Sequence, residues 1–337
     1  MKAAIYYDRQ DVRLEQRPDP MCGPGDAVLK TLYSSICGTD VAVYQRGPHT
    51  GHKITPGGEF GHETVCEVVQ VGENVRGLMV GQRVYPYPLL VTGDTRRAGT
   101  IGGFSEYLLA KNVEAGRTVY PVPEEIPTRL ACLIEPFTVG CRAGRRSEPK
   151  PGESAVVFGA GTIGLAAAVT LQWFGAGRVM VCDLSDFRLD IARRLGFLTC
   201  NPGREDGNET MRAAFGTAPG LHGPAADVPI WIDAAGADSV LDTYMAQGKI
   251  VSRFVAVAVG AAARPVDILH LTYAQKSLIG SGGYIPEDVR DVMDIFRSGR
   301  WELEQLITHE FPLEDIDAAL RTASDTDHAL NVTIRFQ

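Results

Sequence analysis

The chain has no internal repeat, no low-complexity tract and no surplus of positive charge. Across 337 residues, 33 Lys and Arg face 41 Asp and Glu, a formal net charge of −8. That balance argues against non-specific nucleic-acid binding, which needs cationic surface for phosphate. Cysteine is scattered and odd in number, with seven residues at 22, 37, 66, 132, 141, 182 and 200. No disulfide framework is expected from that spacing, and a reducing cytoplasm suits it. Met1–Asp8 carries an acid too early for a secretory leader and is expected to be a strand. One stretch, residues 154–177, is uncharged and long enough to cross a bilayer. Its glycines cluster at one end, so a buried segment is expected there and no membrane association. Short basic spots, Arg96–Arg97 and Arg142 with Arg145 and Arg146, read as solvated faces. The 45% of hydrophobic residues is ample for the core of one large or two ordinary domains.

Up to about residue 110 the pattern is mostly strands, at 3–7, 27–35, 64–71 and 81–85, broken by turn signals. A helix is expected at 128–143, followed by the punctuated segment 145–152. From Ser154 strand and helix alternate: strands at 155–158, 179–182, 228–232 and 251–259, helices at 165–174 and 189–195. Such alternation predicts α/β architecture with a doubly wound parallel sheet. Two amphipathic helices at 287–298 and 313–323 and a last strand at 329–336 fit best as a return to the first domain. The predicted domains are therefore residues 1–147 with 285–337, and residues 148–284.

Gly159-Ala160-Gly161-Thr162-Ile163-Gly164 matches G-x-G-x-x-G. In a chain with 37 glycines the pattern alone is weak. Context strengthens it: a strand feeds the motif, a helix leaves it, and Asp183 closes the next strand nineteen residues after Gly164. Gly159 permits the tight turn, Gly161 lets backbone approach a pyrophosphate, and Gly164 lets helix pack on sheet. The helix N-terminus offers amides to phosphate. Asp183 would accept from ribose hydroxyls and repel a 2′-phosphate, which argues for NAD over NADP. Arg188, just beyond that strand, is the residue that could instead greet a phosphate.

Three segments hold metal-type side chains: Cys37-Gly-Thr39-Asp40, Gly61-His62-Glu63 and Glu135-Pro136. A catalytic zinc takes three protein ligands and keeps one position open. Cys37, His62 and one carboxylate would satisfy that and neutralise the ion. Binding Glu63 and Glu135 together would leave the site anionic, so the two are expected to alternate, or one to act through water. Adjacent strand residues point to opposite faces. His62 and Glu63 can therefore share a metal only if the backbone is irregular, which Gly61 would allow.

Together with Gly81-Gln-Arg-Val84, Gly102-Gly-Phe-Ser-Glu-Tyr107 and Leu306-Ile-Thr-His-Glu-Phe311, these segments resemble the medium-chain dehydrogenase/reductase family, in its zinc-dependent alcohol and polyol branch. The resemblance implies a GroES-like, mostly-β catalytic domain built from both chain ends and a central Rossmann domain. It implies Cys37 and His62 as zinc ligands, with Glu63 completing the site and Glu135 beside the metal or bridging through water. It also implies a homo-dimer or homo-tetramer joined through Rossmann domains. Two departures stand out. Residues 85–102 contain no cysteine, so one catalytic zinc and no structural zinc is expected. The histidine that often ends a proton relay is replaced by Ala42, which leaves Thr39 as the hydroxyl that takes the substrate proton.

The expected reaction is hydride transfer between a secondary alcohol, either a polyol, sugar alcohol or vicinal diol, and NAD, with zinc lowering the hydroxyl pKa. Tyr44 is either a pocket residue or a core aromatic. His49 and His52 are candidates for substrate contact. Two alternatives are a zinc-free NAD(P)H-dependent enone or quinone reductase, which would need neither the ligand set nor Asp183, and a nucleotide-binding sensor without turnover, suggested only by Ala42.

Overall fold

The computed structural model describes residues 1–48, 50, 54–91, 101–259 and 263–336. His49, His52, Arg96 and Arg97 lie outside these, as does much of the interval 85–102. The chain forms two compact units, Met1–Glu135 with Phe296–Gln337, and Pro136–Ile295.

Strand Ala27–Ser35 is the organising strand of the first unit. It pairs antiparallel with Glu63–Val71, Tyr107–Ala110 and Asn331–Arg335, within a seven-stranded sheet that includes Arg83–Pro86, Val119–Pro121 and Ile307–Pro312. Lys2–Asp8 heads a separate three-stranded sheet. One core of this unit joins Tyr6, Val43, Tyr44, Phe60 and Phe104 to Ile316, Leu320 and Ile334 from the far end of the chain. Burial of that shared apolar surface is why the last forty residues return to the first domain.

The second unit carries a six-stranded sheet in the order Leu198–Cys200, Val179–Cys182, Ala155–Phe158, Ile230–Asp233, Arg253–Ala256, Ser277–Gly280. Every neighbouring pair is parallel. Counted along the chain this is 3-2-1-4-5-6, the doubly wound order whose switch point lies between the first and fourth strands. The uncharged stretch 154–177 resolves into strand Ala155–Phe158, the glycine turn and helix Thr162–Trp173. Among the described residues no helix is long and apolar enough to cross a membrane.

Two expectations are corrected. The helix expected at 128–143 is two helices, Thr128–Ala131 and Ile134–Arg146. Arg142 and Arg145 are not a solvated face, whereas Arg146 is exposed. Arg145 donates to Asp288 at 2.6 Å and to Asp291, Arg142 lies 3.9 Å from Asp288, and Arg146 Nε donates to the Gly280 carbonyl at 3.2 Å. Asp288 is fully buried, and an ionised carboxylate in that position requires a cationic partner.

Candidate active site

Register brings the metal-type side chains of the first unit together. Ser35, the last residue of its strand, is paired with Glu63, the first residue of the neighbouring strand. The loop that continues to Cys37 and the segment ending in His62 therefore leave the sheet at the same edge. One potential ligand atom from each of Cys37, His62 and Glu63 falls within 4.8 Å of the other two. Gly61 supplies the irregular backbone the pairing needs. Its φ is +89°, and a Cβ there would stand 2.7 Å from the Phe104 ring. His62 thus precedes the regular strand while Glu63 begins it, and both reach one point.

Cys37 is the N-cap of helix Gly38–Arg46, and its amide donates to Asp40 Oδ2 at 3.0 Å, half of a capping box. The other oxygen, Asp40 Oδ1, faces His62 Nδ1 at 3.5 Å. Asp40 is fully buried. Sequence reading quoted this residue within its motif and assigned it no role. The signal was its position in the first helical turn, three residues from a ligand.

The chemistry of the three donors fits a divalent cation. Burial pushes the Cys37 thiol up to about 11, with the Glu63 carboxylate adding to the effect. Burial likewise raises Glu63, against the opposing pull of His62. Burial pulls His62 down, but Asp40 and Cys37 outweigh it and hold the imidazole well above its ordinary value. Glu63 Oε2 is buried with no hydrogen-bond partner. An orphaned carboxylate oxygen beside a half-buried thiol and a buried imidazole is costly for a bare protein, and a metal ion supplies what it lacks. Thr39 Oγ1 is also buried without a partner.

Glu135, half-buried in the first turn of Ile134–Arg146, is not one of the three clustered ligands. Tyr44 is 2% exposed, packs in the core and donates its hydroxyl to Asp317 at 2.6 Å.

The second unit has its own site at the switch point. Gly159 turns at φ +99°, and a Cβ there would meet the Ala234 backbone at 2.9 Å. A Cβ on Gly164 would stand 1.8 Å from the Gly159 carbonyl oxygen. Gly161, the N-cap of helix Thr162–Trp173, differs: the nearest atom to its missing Cβ is Arg188 Nη1, at 3.9 Å. Its backbone borders open space at a helix N-terminus, as approach of a phosphate requires. Thr162 and Ile163 open that helix. Ala160 N donates to Asp183 Oδ2 at 2.6 Å, and Ser185 N to Asp183 Oδ1 at 2.8 Å. Beside them lies a cavity of about 490 Å³ lined by Phe158, Gly159, Cys182, Asp183, Cys200 and Met211 among others. A nucleoside moiety fits that size and apolar wall.

Comparison with known proteins accords with both halves. Residues 23–124 match the alcohol dehydrogenase GroES-like domain, and residues 162–298 match the zinc-binding dehydrogenase family model. The chain is 30% identical to an (R,R)-butanediol dehydrogenase of Neisseria gonorrhoeae, covering 94% of this chain and 93% of that protein. It is 31% identical to an L-threonine 3-dehydrogenase of Edwardsiella ictaluri, covering 88% and 89%. The crystal structure of 2R,3R-butanediol dehydrogenase from Bacillus subtilis superposes with a TM-score of 0.85 at 26% identity, covering 99% of both chains. With family models over both parts and similarity running along nearly its whole length, the chain belongs to the zinc-type medium-chain dehydrogenase family, as an oxidoreductase of the alcohol dehydrogenase kind.

Proposed function

We propose that the protein is a zinc-dependent, NAD-linked dehydrogenase of secondary alcohols, acting on a polyol, sugar alcohol or vicinal diol and on the matching ketone in reverse. The observation that carries this reading is the cluster of half-buried Cys37 with buried His62 and Glu63 and its orphaned carboxylate oxygen. Relatives acting on butanediol and on threonine support a substrate with a second polar group beside the reacting hydroxyl.

Cys37, His62 and Glu63 would hold one zinc ion. A zinc held there would supply Lewis-acid polarisation of an alcohol oxygen, lowering its pKa toward neutrality. Asp40 faces Nδ1 of His62, which leaves Nε2 for the metal and fixes the ring. Thr39 offers a buried hydroxyl with no competing partner, so it receives the substrate proton. Glu135 acts next to the metal or through water. The second unit would hold NAD, which would supply the hydride acceptor. Gly159, Ala160, Gly161, Thr162, Ile163 and Gly164 shape the phosphate turn, Arg188 adds positive charge over it, and Asp183 takes the ribose hydroxyls. Asp183 also repels a 2′-phosphate, which is the reason to choose NAD over NADP.

Among the described residues, strand Ser277–Gly280 ends the parallel sheet on one side and carries exposed Leu278, close in sequence to exposed Ile268, Leu269 and Tyr273. A sheet edge of this kind suits pairing with a second copy of the chain, as a homo-dimer or within a homo-tetramer. The odd number and wide scatter of the cysteines support a reducing, cytoplasmic setting.

The test is metal analysis of protein purified without a histidine tag, followed by initial rates with NAD and NADP on 2,3-butanediol, sorbitol and L-threonine. About one zinc per chain with NAD-dependent turnover is expected. Turnover of enones without zinc would establish the reductase reading instead. NAD binding without turnover of any alcohol would establish the sensor.

A further inference from the structure

The wall of the nucleoside-sized cavity contains a feature that dehydrogenase chemistry does not use. Cys182 ends one parallel strand and Cys200 ends its neighbour, and the two are register partners. Partners on adjacent parallel strands project to the same face, with Cα atoms about 4.8 Å apart, inside the range a disulfide spans. Both are buried, at 3% and 1% exposure, and both line the cavity. Both are unpaired cysteines.

The pair is wired to Asp183. The Asp183 amide donates to the Cys200 carbonyl at 3.2 Å. Asn201, the next residue, donates from Nδ2 to the Leu184 carbonyl at 3.1 Å and to Asp186 Oδ1 at 2.7 Å. Drawing the two sulfurs to about 2.05 Å must move one strand end, and these bonds carry the movement into the loop that presents Asp183.

We propose that Cys182 and Cys200 form an oxidisable dithiol in the cavity wall, where a peroxide installs a disulfide and thereby weakens nucleotide binding. The weakening rests on the cofactor reading above; the dithiol itself does not. The neighbouring Cys182 holds the Cys200 thiol below its ordinary value, while Cys200 and burial raise Cys182, so Cys200 is the attacking sulfur. Its thiolate attacks hydrogen peroxide, breaking the O–O bond, and the departing hydroxide takes up a proton as water. Cys182 then attacks the sulfenic sulfur of Cys200, the S–S bond forms, and the sulfenic hydroxyl leaves as a second water. The two sulfurs give up two electrons and the peroxide gains them.

The experiment treats the whole protein with hydrogen peroxide, with and without saturating NAD. It reads peptide maps for a Cys182–Cys200 linked peptide and calorimetry for the NAD Kd. Binding rather than turnover is measured because oxidation at Cys37 would also lower activity. The linked peptide is expected, its formation slowed by NAD, together with about a tenfold rise in Kd that dithiothreitol reverses. Cys200→Ser should abolish the peroxide effect on Kd. Unlinked thiols, or separate sulfinic and sulfonic acids, would overturn the dithiol. A linked peptide with unchanged Kd would overturn its coupling to the nucleotide. Failure of the reduced protein to bind NAD overturns the cofactor reading and the coupling together, and the peptide map then decides the dithiol alone.

Discussion

Cys37, His62 and Glu63 differ from ordinary core residues in that each is a donor whose ionisation or desolvation the fold makes costly. Because the Cys37 thiol is held up at about 11 and Glu63 is raised, zinc must displace protons to bind. Zinc affinity should therefore climb as pH rises through the neutral range, and competition with a chromogenic chelator across that range measures it. A flat profile would show that these groups are not the ligands. Asp40→Asn keeps the shape but removes the charge facing His62, and should weaken zinc binding by about 10- to 100-fold. Thr39→Val removes the buried hydroxyl at similar volume. Zinc content should be unchanged, with kcat lower by about 10²- to 10⁴-fold. An active Thr39→Val enzyme would move the proton route elsewhere.

Helix Ile134–Arg146 packs on helix Thr162–Trp173 through Gly140 and Gly144. A Cβ on Gly140 would lie 2.5 Å from Ala166 Cβ and 2.6 Å from the Ile163 carbonyl oxygen. Ala is favoured over Gly in a helix by about 1 kcal/mol. Here the clash is with backbone, which cannot swing aside, so overpacking wins and Gly140→Ala should lose about 1–3 kcal/mol in a denaturant melt. At the end of helix Asp238–Gln247, Lys276 Nζ donates to the carbonyls of Tyr244 and Met245 at 2.8 and 2.6 Å, a side-chain cap from the residue just before strand Ser277–Gly280. Burial holds this lysine down at about 8. Between there and its unfolded value of 10.5 the unfolded chain binds the proton and the folded chain does not. The contribution of Lys276 to stability thus rises with pH over that window and falls as pH drops through 8. Melting temperatures of wild type and Lys276→Met should diverge accordingly; parallel curves would refute the assignment.

At the scale of the molecule, the two sites make separable demands. Stripping the zinc should abolish turnover while far-UV circular dichroism persists, because Gly61, Phe104 and the Ser35–Glu63 register hold the ligand segments without it. Saturating NAD should still raise the melting temperature of the stripped protein, since its determinants lie in the other unit. Loss of both effects together would mean that one site requires the other. Sedimentation should give a dimer or tetramer, and Leu278→Lys on that sheet edge should shift it to lower mass.

Some of this was legible in the residues alone. The glycine fingerprint, the strand–helix alternation and the position of Asp183 are local: turn geometry and burial period act over a few neighbours, so they leave a mark in the order of residues. Residue type and family resemblance pointed to Cys37, His62 and Glu63, and to the irregular backbone that Gly61 had to supply. Short strands such as Asp11–Gln16 and the hairpin Thr217–Gly220 with Gly223–Ala226 were not legible, because their pairing is decided by partners rather than by period. Nor was the role of Asp40, the ion pairs of Arg145 with buried Asp288, or the meeting of Cys182 with Cys200. Each of those joins residues whose proximity depends on strand register or helix packing, and no nearby residue records it. Residue order carried the local signatures, a nucleotide-type glycine turn and metal-type donors; which side chains share a buried space was settled only by folding, because register and exclusion of water act between distant segments.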